Sequence, residues 1–338
     1  MESSDPELAE LRRFARERVH PEVARHELPV RQERLASLLT EMDDLGLTEP
    51  DGGLWADIPR GIALLSVIAE HDVSVALALH QRALARRMPG ATDLVVVHGH
   101  YGLGREALAD WLAEREPPEP LADVYDLASP RVVVAAALPR WVLAPVWDGQ
   151  QLRLGRWAAK STPLPNAHGL DALVTLALSL TGEPQDEAPT AEYLFALRVE
   201  ALASVALALA AVGRGARMAR QFAAERQQGG SAIEAHAAVR ELLLAQLSVL
   251  AGVSAELALE APRPTSPGSV VSALALAGSA LSRLCEAANA ALQVFGCLGY
   301  MRDTGMEKIV RDVNHLRHRL ASPGELGAIA VRWEQIHG

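Results

Sequence analysis

Aromatic residues are scarce in this chain: Phe, Trp and Tyr together make up 4% of its 338 residues. Ala and Leu dominate an apolar fraction of 49%, and such a core is filled more readily by packed helices than by stacked sheets. Cysteine is scarce as well. Cys285 and Cys297 lie 12 residues apart on one expected helix, a rise of about 18 Å, so they cannot bridge each other. No run of basic residues occurs. The balance of 32 Lys and Arg against 42 Asp and Glu gives a net charge of −10, which argues against nucleic acid or an anionic membrane as partner. Long uninterrupted apolar runs are missing too: residues 205–212, the longest, fall far short of the ~20 that span a bilayer. The opening Met1-Glu2-Ser3-Ser4-Asp5 is acidic where a signal peptide is basic. The expectation is a cytoplasmic protein without a membrane partner.

What is present reads as three blocks, with boundaries expected at 1–115, 116–189 and 190–338. The first is helical. Leu8, Leu11 and Ala15 recur at helical spacing, and Leu35, Leu38, Leu39, Met42 and Leu45 form a second apolar stripe closed by Gly46. A third stripe runs from Pro59 through Ile62, Leu65, Ile68, Val75 and Leu79 to Met88-Pro89-Gly90. A last helical stretch, 94–112, is interrupted by Gly99, Gly102 and Gly104. The second block opens on the stiff Glu116-Pro117-Pro118-Glu119-Pro120. Its Val132-Val133-Val134 and Trp141-Val142-Leu143 are strand-like, and Asp148-Gly149 is an expected hairpin turn. The third block is helical again. Ser231 with Glu234, Thr304 with Glu307 and Ser322 with Glu325 fit capping boxes that mark helix starts, and Gly229-Gly230 is expected to end the helix before the first.

Several constellations carry no chemistry on this pattern. His98 and His100, or His315 and His318, lack the accompanying Cys or carboxylates of a metal site. Gly99 to Gly104 is glycine-rich but follows no strand, which rules out a dinucleotide-binding turn. His71, Asp72 and Ser74 contain triad residue types that point in different directions on one helix. No Gly-x-Ser-x-Gly elbow is present.

Two stretches of the last block remain. One is Gln293-Val294-Phe295-Gly296-Cys297-Leu298-Gly299-Tyr300-Met301-Arg302-Asp303; the other is Arg226-Gln227-Gln228-Gly229-Gly230-Ser231-Ala232-Ile233. A glycine turn after a helix lets backbone N–H groups approach a phosphate, and a nearby Arg supplies charge for a pyrophosphate. The alternative is that the glycines merely end helices and Arg226 is a solvated charge. Taken together and in this order, the stretches resemble the Q-x-x-G-G-x-G-Y-x-R-D and R-x-Q-F-G-x-P-I motifs of the acyl-CoA dehydrogenase family. Arg311-Asp312 falls where the family has its following R-D. The resemblance implies a mainly α fold with a small central β region: an N-terminal helical domain, a reduced β-domain and a C-terminal helical bundle. It implies FAD, with Arg226, Gln293, Gly296 and Cys297 as cofactor-binding residues that reach a flavin across a subunit boundary. It also implies that apolar helices of the last block, including residues 270–285, bury a subunit interface.

The chain departs from the family in three places. Nothing between residues 115 and 189 matches the family's T-E-P-x-x-G-S-D stretch, and Thr48-Glu49-Pro50 lies between early helices. Gly229 replaces the aromatic of one motif, and Cys297 replaces the second glycine of the other. Counting from Arg311-Asp312 puts Leu320 where the family's Y-E-G-T carboxylate stands, and no acid occurs from residue 314 to 324. Glu200, 26 residues before Arg226, has the spacing of members that take their base from the preceding helix; the alternative is a solvated residue in a first helical turn. Three functions follow from the resemblance. The first is FAD-dependent α,β-desaturation of an acyl thioester of coenzyme A or a carrier protein, in a homo- or hetero-oligomer. The second is a non-catalytic partner subunit completing the FAD site of a full-length paralogue. The third is other flavin chemistry. No metal is expected.

Overall fold

A computed structural model of the chain describes residues 6–23, 30–88, 90, 92–96, 105–115, 130–147, 152–165 and 168–338. The Asp148-Gly149 turn, the 116–120 connector and the His98/His100 and Gly99/Gly102/Gly104 stretches lie outside them.

The N-terminal helices are α1 (Pro6–Phe14), α2 (His20–Val23), α3 (Gln32–Asp44), α4 (Ile58–Ala69), α5 (Val73–Arg87) and α6 (Arg105–Leu112). A π-helical turn, Ala15–Val19, joins the first two. The single stripe expected from Pro59 to Met88 is split, because Asp72 accepts a hydrogen bond from Val75 N at 3.0 Å and starts a new helix there. Asp57 caps α4 in the same way through Arg60 N at 2.8 Å. Thr48 serves this packing: its hydroxyl donates to Asp43 at 2.6 Å and accepts from Arg86 at 2.6 Å.

A five-stranded sheet follows, made of β1 (Leu94–Val95), β2 (Arg131–Ala135), β3 (Trp141–Trp147), β4 (Leu152–Pro163) and β5 (Val174–Thr181). Its order is β1-β3-β4-β5-β2, with β1 parallel to β3 and every other pair antiparallel. The first strand comes from the stretch expected to be helical, since Leu94 and Val95 find an edge to pair with, opposite Val142 and Leu143. A small apolar core of its own includes Val142, Leu176, Leu178 and Trp157, whose indole N–H donates to the Ala144 carbonyl at 3.1 Å.

The last block is a bundle of α7 (Thr190–Glu225), α8 (Ala237–Glu260), α9 (Pro267–Phe295), α10 (Met306–Arg319) and α11 (Pro323–His337). The helix α7 packs most heavily against α9, and Arg198, fully buried, ties its start to the end of α8 through the Glu260 and Ala261 carbonyls at 2.7 and 3.3 Å. Of the expected capping boxes, Ser322 with Glu325 forms. Ser231 does not start a helix. It lies in β7 (Ser231–Ala232), paired with β6 (Gln227–Gln228) across Gly229 and Gly230, whose φ values of 64° and 86° make the tight turn that two consecutive glycines allow. At Thr304 the hydroxyl accepts from Met306 N at 3.3 Å, but Gly305 occupies the cap position. Ser266 with Ser269 forms a box that starts α9.

By length and composition α7, α8 and α9 could each cross a membrane, a property that a search for uninterrupted apolar runs misses. Inside the fold, 89% of the apolar window of α7 and 61% of that of α9 are buried, against 17% for α8. The expected interface on residues 270–285 is corrected accordingly. Val270, Leu274, Leu281 and Cys285 are buried within the chain, while Leu244, Leu247 and Leu259 of α8 are exposed.

Candidate active site

The two edge strands β1 and β2 border the same cavity, of about 790 Å³. The other walls are Gln81 of α5, Glu200 of α7, His168 of the loop before β5, and Asn314, His315 and His318 to Leu320 at the end of α10. Gln81 binds the sheet to α5 by donating to the Val134 carbonyl at 2.7 Å. Among the described residues each edge strand pairs with one other strand, so its second edge, apart from the Val134 carbonyl bound by Gln81, is not matched to a strand.

Glu200 is 1% exposed, so it is not the solvated first-turn residue of the alternative reading. Both of its carboxylate oxygens are engaged: Oε2 accepts from Arg319 Nη2, and Oε1 lies 3.2 Å from His80 Nε2. Arg319 Nη2 also donates to Ser204 Oγ at 3.0 Å. Burial alone raises the carboxyl pKa, but the charge and hydrogen bonds of Arg319 and His80 outweigh it and hold the group at about 2. A carboxylate so stabilised is a weak proton acceptor. Leu320, counted to the place of the family's usual carboxylate, does reach the cavity wall, where its side chain is apolar and 4% exposed.

The end of α10 is locked to the loop before β5. Asp312 Oδ1 accepts from Leu170 N at 2.7 Å, Arg311 donates to Asp171 at 2.7 Å, and His315 Nδ1 lies 3.0 Å from the His168 carbonyl oxygen. Gly169 makes the contact possible. Its φ is +81°, and a Cβ there would sit 2.6 Å from the Arg311 carbonyl oxygen. Below it, the Lys308 ammonium bridges Asp312 at 2.6 Å and Asp72 at 2.9 Å. Burial lowers the affinity of Lys308 for its proton, but the two carboxylates more than reverse this and hold it above the usual lysine range. The R-D pair is therefore the brace that positions this wall. His315 and His318, weighed in the sequence only as metal ligands, stand on the wall itself, and no metal-binding group of His, Cys, Asp or Glu exists among the described residues.

Arg226, Gln293, Gly296 and Cys297 are elsewhere. All four are exposed at the far ends of α7 and α9, which Phe222 and Phe295 bring together by stacking at 4.6 Å between ring centroids. Gly296 has a φ of +59°, and a Cβ on it or on Gly230 would meet nothing within 4 Å. The Arg226 side chain has no hydrogen bond or ion pair among the described residues. From Glu200 to Arg226 the 26 steps along α7 amount to roughly 39 Å.

These residues fit a flavin dinucleotide in two separate parts. The cavity, with its strand edges, suits a flat heterocycle that hydrogen-bonds to backbone, and its volume is that of a small-molecule site. Open glycine turns beside an unpaired Arg suit a pyrophosphate. The two parts lie roughly 39 Å apart along α7, so they are separate surfaces of this chain.

Residues 193–318 match the family described as acyl-CoA dehydrogenase, C-terminal domain. No curated protein matches the chain in sequence. Among solved structures, butyryl-CoA dehydrogenase from Megasphaera elsdenii is similar with a TM-score of 0.68 at 14% identity, covering 96% of each chain. The prolyl acyl carrier protein oxidase AnaB is similar with a TM-score of 0.70 at 12% identity, covering 97% of each. PigA, solved with FAD and proline, gives 0.73 at 10% identity, covering 100% of this chain and 99% of the other. The fold is that of the acyl-CoA dehydrogenases. Residues 193–318 carry the match to their C-terminal domain, and the likeness over the whole chain is one of fold at low identity.

Proposed function

We propose that the chain is a subunit of an FAD-dependent acyl-CoA dehydrogenase-like oxidoreductase that acts on an acyl thioester of coenzyme A or a carrier protein. The observation that carries this reading is the division of the flavin-compatible features between a cavity and a distant pair of open glycine turns. In the oligomer, Arg226, Gln293, Gly296 and Cys297 of one subunit hold the pyrophosphate side of a flavin whose ring lies in the cavity of the next. FAD, when bound, supplies a hydride acceptor for desaturation. The chain's own residues exclude water, through Leu320 and the apolar side chains of β1 and β2, and orient the thioester against the end of α10.

A second reading has its own support. Glu200 is neutralised by Arg319, and Leu320 replaces the usual carboxylate, as befits a partner subunit that completes a paralogue's site. Flavin absorbance of the protein purified alone separates the two. Stoichiometric FAD that falls in Arg226→Ala supports the self-sufficient enzyme. FAD that appears only on coexpression with a full-length relative supports the partner subunit. No FAD in either preparation sinks both.

A further inference from the structure

If an acyl thioester reacts in the cavity, a proton acceptor must face it, and Glu200 has both oxygens committed. His315 does not. Its Nδ1 lies 3.0 Å from the His168 backbone carbonyl, and a carbonyl oxygen only accepts. The neutral ring therefore carries its proton on Nδ1 and presents Nε2 as a bare lone pair. Nε2 has no partner among the described residues, and the ring lines the cavity. The carbonyl that sets this tautomer is itself fixed, because Leu170 N and Asp171 on the same loop bond to Asp312 and Arg311, the residues one turn before His315 on α10. The charged and titratable groups that act on the ring are Arg319 and Asp312 of its own helix and His168 of the opposing loop. Burial, then Arg319 and the His168 side chain, lower its proton affinity against the pull of the His168 carbonyl and Asp312, so the ring is neutral at physiological pH.

We propose that His315 Nε2 is the proton acceptor of this cavity, taking a proton from the carbon next to the carbonyl of an acyl thioester. The C–H bond breaks and an Nε2–H bond forms. The electron pair stays on the substrate as an enolate shared with the thioester oxygen, so the step itself consumes no oxidant. The inference rests on the acyl-thioester reading above and adds the group that does the proton transfer.

The test is exchange of the α-protons of phenylacetyl-N-acetylcysteamine in deuterium oxide, followed by proton NMR with the protein, with and without added FAD. Binding of the same probe is measured separately by saturation-transfer NMR. The wild-type protein accelerates exchange, with a rate that climbs through a pKa below the ordinary imidazole value and is flat above neutrality. His315→Asn keeps a donor for the His168 carbonyl but has no Nε2, and it slows exchange by about 10²–10⁴-fold while binding and thermal midpoint are retained. His337→Asn, on α11 and not among the residues that border the cavity, leaves the rate unchanged. Binding without exchange, or exchange that survives in His315→Asn, overturns the proposal alone. If the probe does not bind, the acyl-thioester reading fails, and this assignment falls with it.

Discussion

Glu200 and Arg319, 119 residues apart in the chain, form a buried ion pair that ties α7 to the end of α10 on the cavity wall. The pair accounts for much of what distinguishes this cavity. It places a carboxylate where a base is wanted and then neutralises it.

Removing one member leaves the other buried without a counter-charge. Glu200→Gln and Arg319→Met are each expected to cost about 3–5 kcal/mol, with the double variant recovering much of the loss, as read from urea unfolding midpoints. The pH dependence has a definite sign. The folded pKa of Glu200, about 2, lies below its ordinary value of 4.5, so the pair's contribution is full above that value and is lost as pH falls toward 2. It amounts to about 3 kcal/mol, and the wild-type advantage over Glu200→Gln should shrink across that acid window. Parallel pH profiles would sink the assignment.

Gly169→Ala tests the brace between α10 and the loop before β5. The backbone is in the left-handed region, and the new methyl meets the Arg311 carbonyl, which is backbone and cannot rotate away. A loss of at least about 1–3 kcal/mol is expected, seen as a lowered thermal midpoint. An unchanged midpoint would show that the loop is free to leave the helix.

The open face of α8 predicts association. Leu244, Leu247 and Leu259 are exposed on a helix whose apolar window is 17% buried, a face that favours a partner surface over water. Light scattering at micromolar concentration should report a dimer or larger, and Leu244→Glu with Leu247→Glu should shift it toward monomer. A wild-type monomer would count against the shared-flavin arrangement as well.

Helical spacing, caps and turn residues are local properties, and they were legible where they act locally. The stripes at Leu35 to Met42, the Ser322 capping box and the strands at Val132 and Trp141 stand as expected. The motif stretches at Arg226 and Gln293 were legible for the same reason, because a glycine turn beside a helix end is written in consecutive residues. Local reading failed where a partner from far along the chain intervened. Leu94 and Val95 become a strand because β3 offers them an edge, whereas Ser231 misleads for a local reason, since the Gly229-Gly230 turn pairs it with Gln228.

The sequence by itself determined the helix–sheet–helix order, the family resemblance and the absence of an acid near Leu320. Only the tertiary structure decided which polar groups meet. Spacing put Glu200 at the height of a base but said nothing of Arg319 and His80, which reach it from α10 and α5 and cancel its basicity. His315 was unremarkable as one histidine among 11 until the His168 carbonyl, 147 residues away, set its tautomer and turned its free nitrogen into a usable lone pair. Proton affinity depends on burial and on the charges within a few ångströms, and those neighbours are chosen by packing rather than by sequence distance.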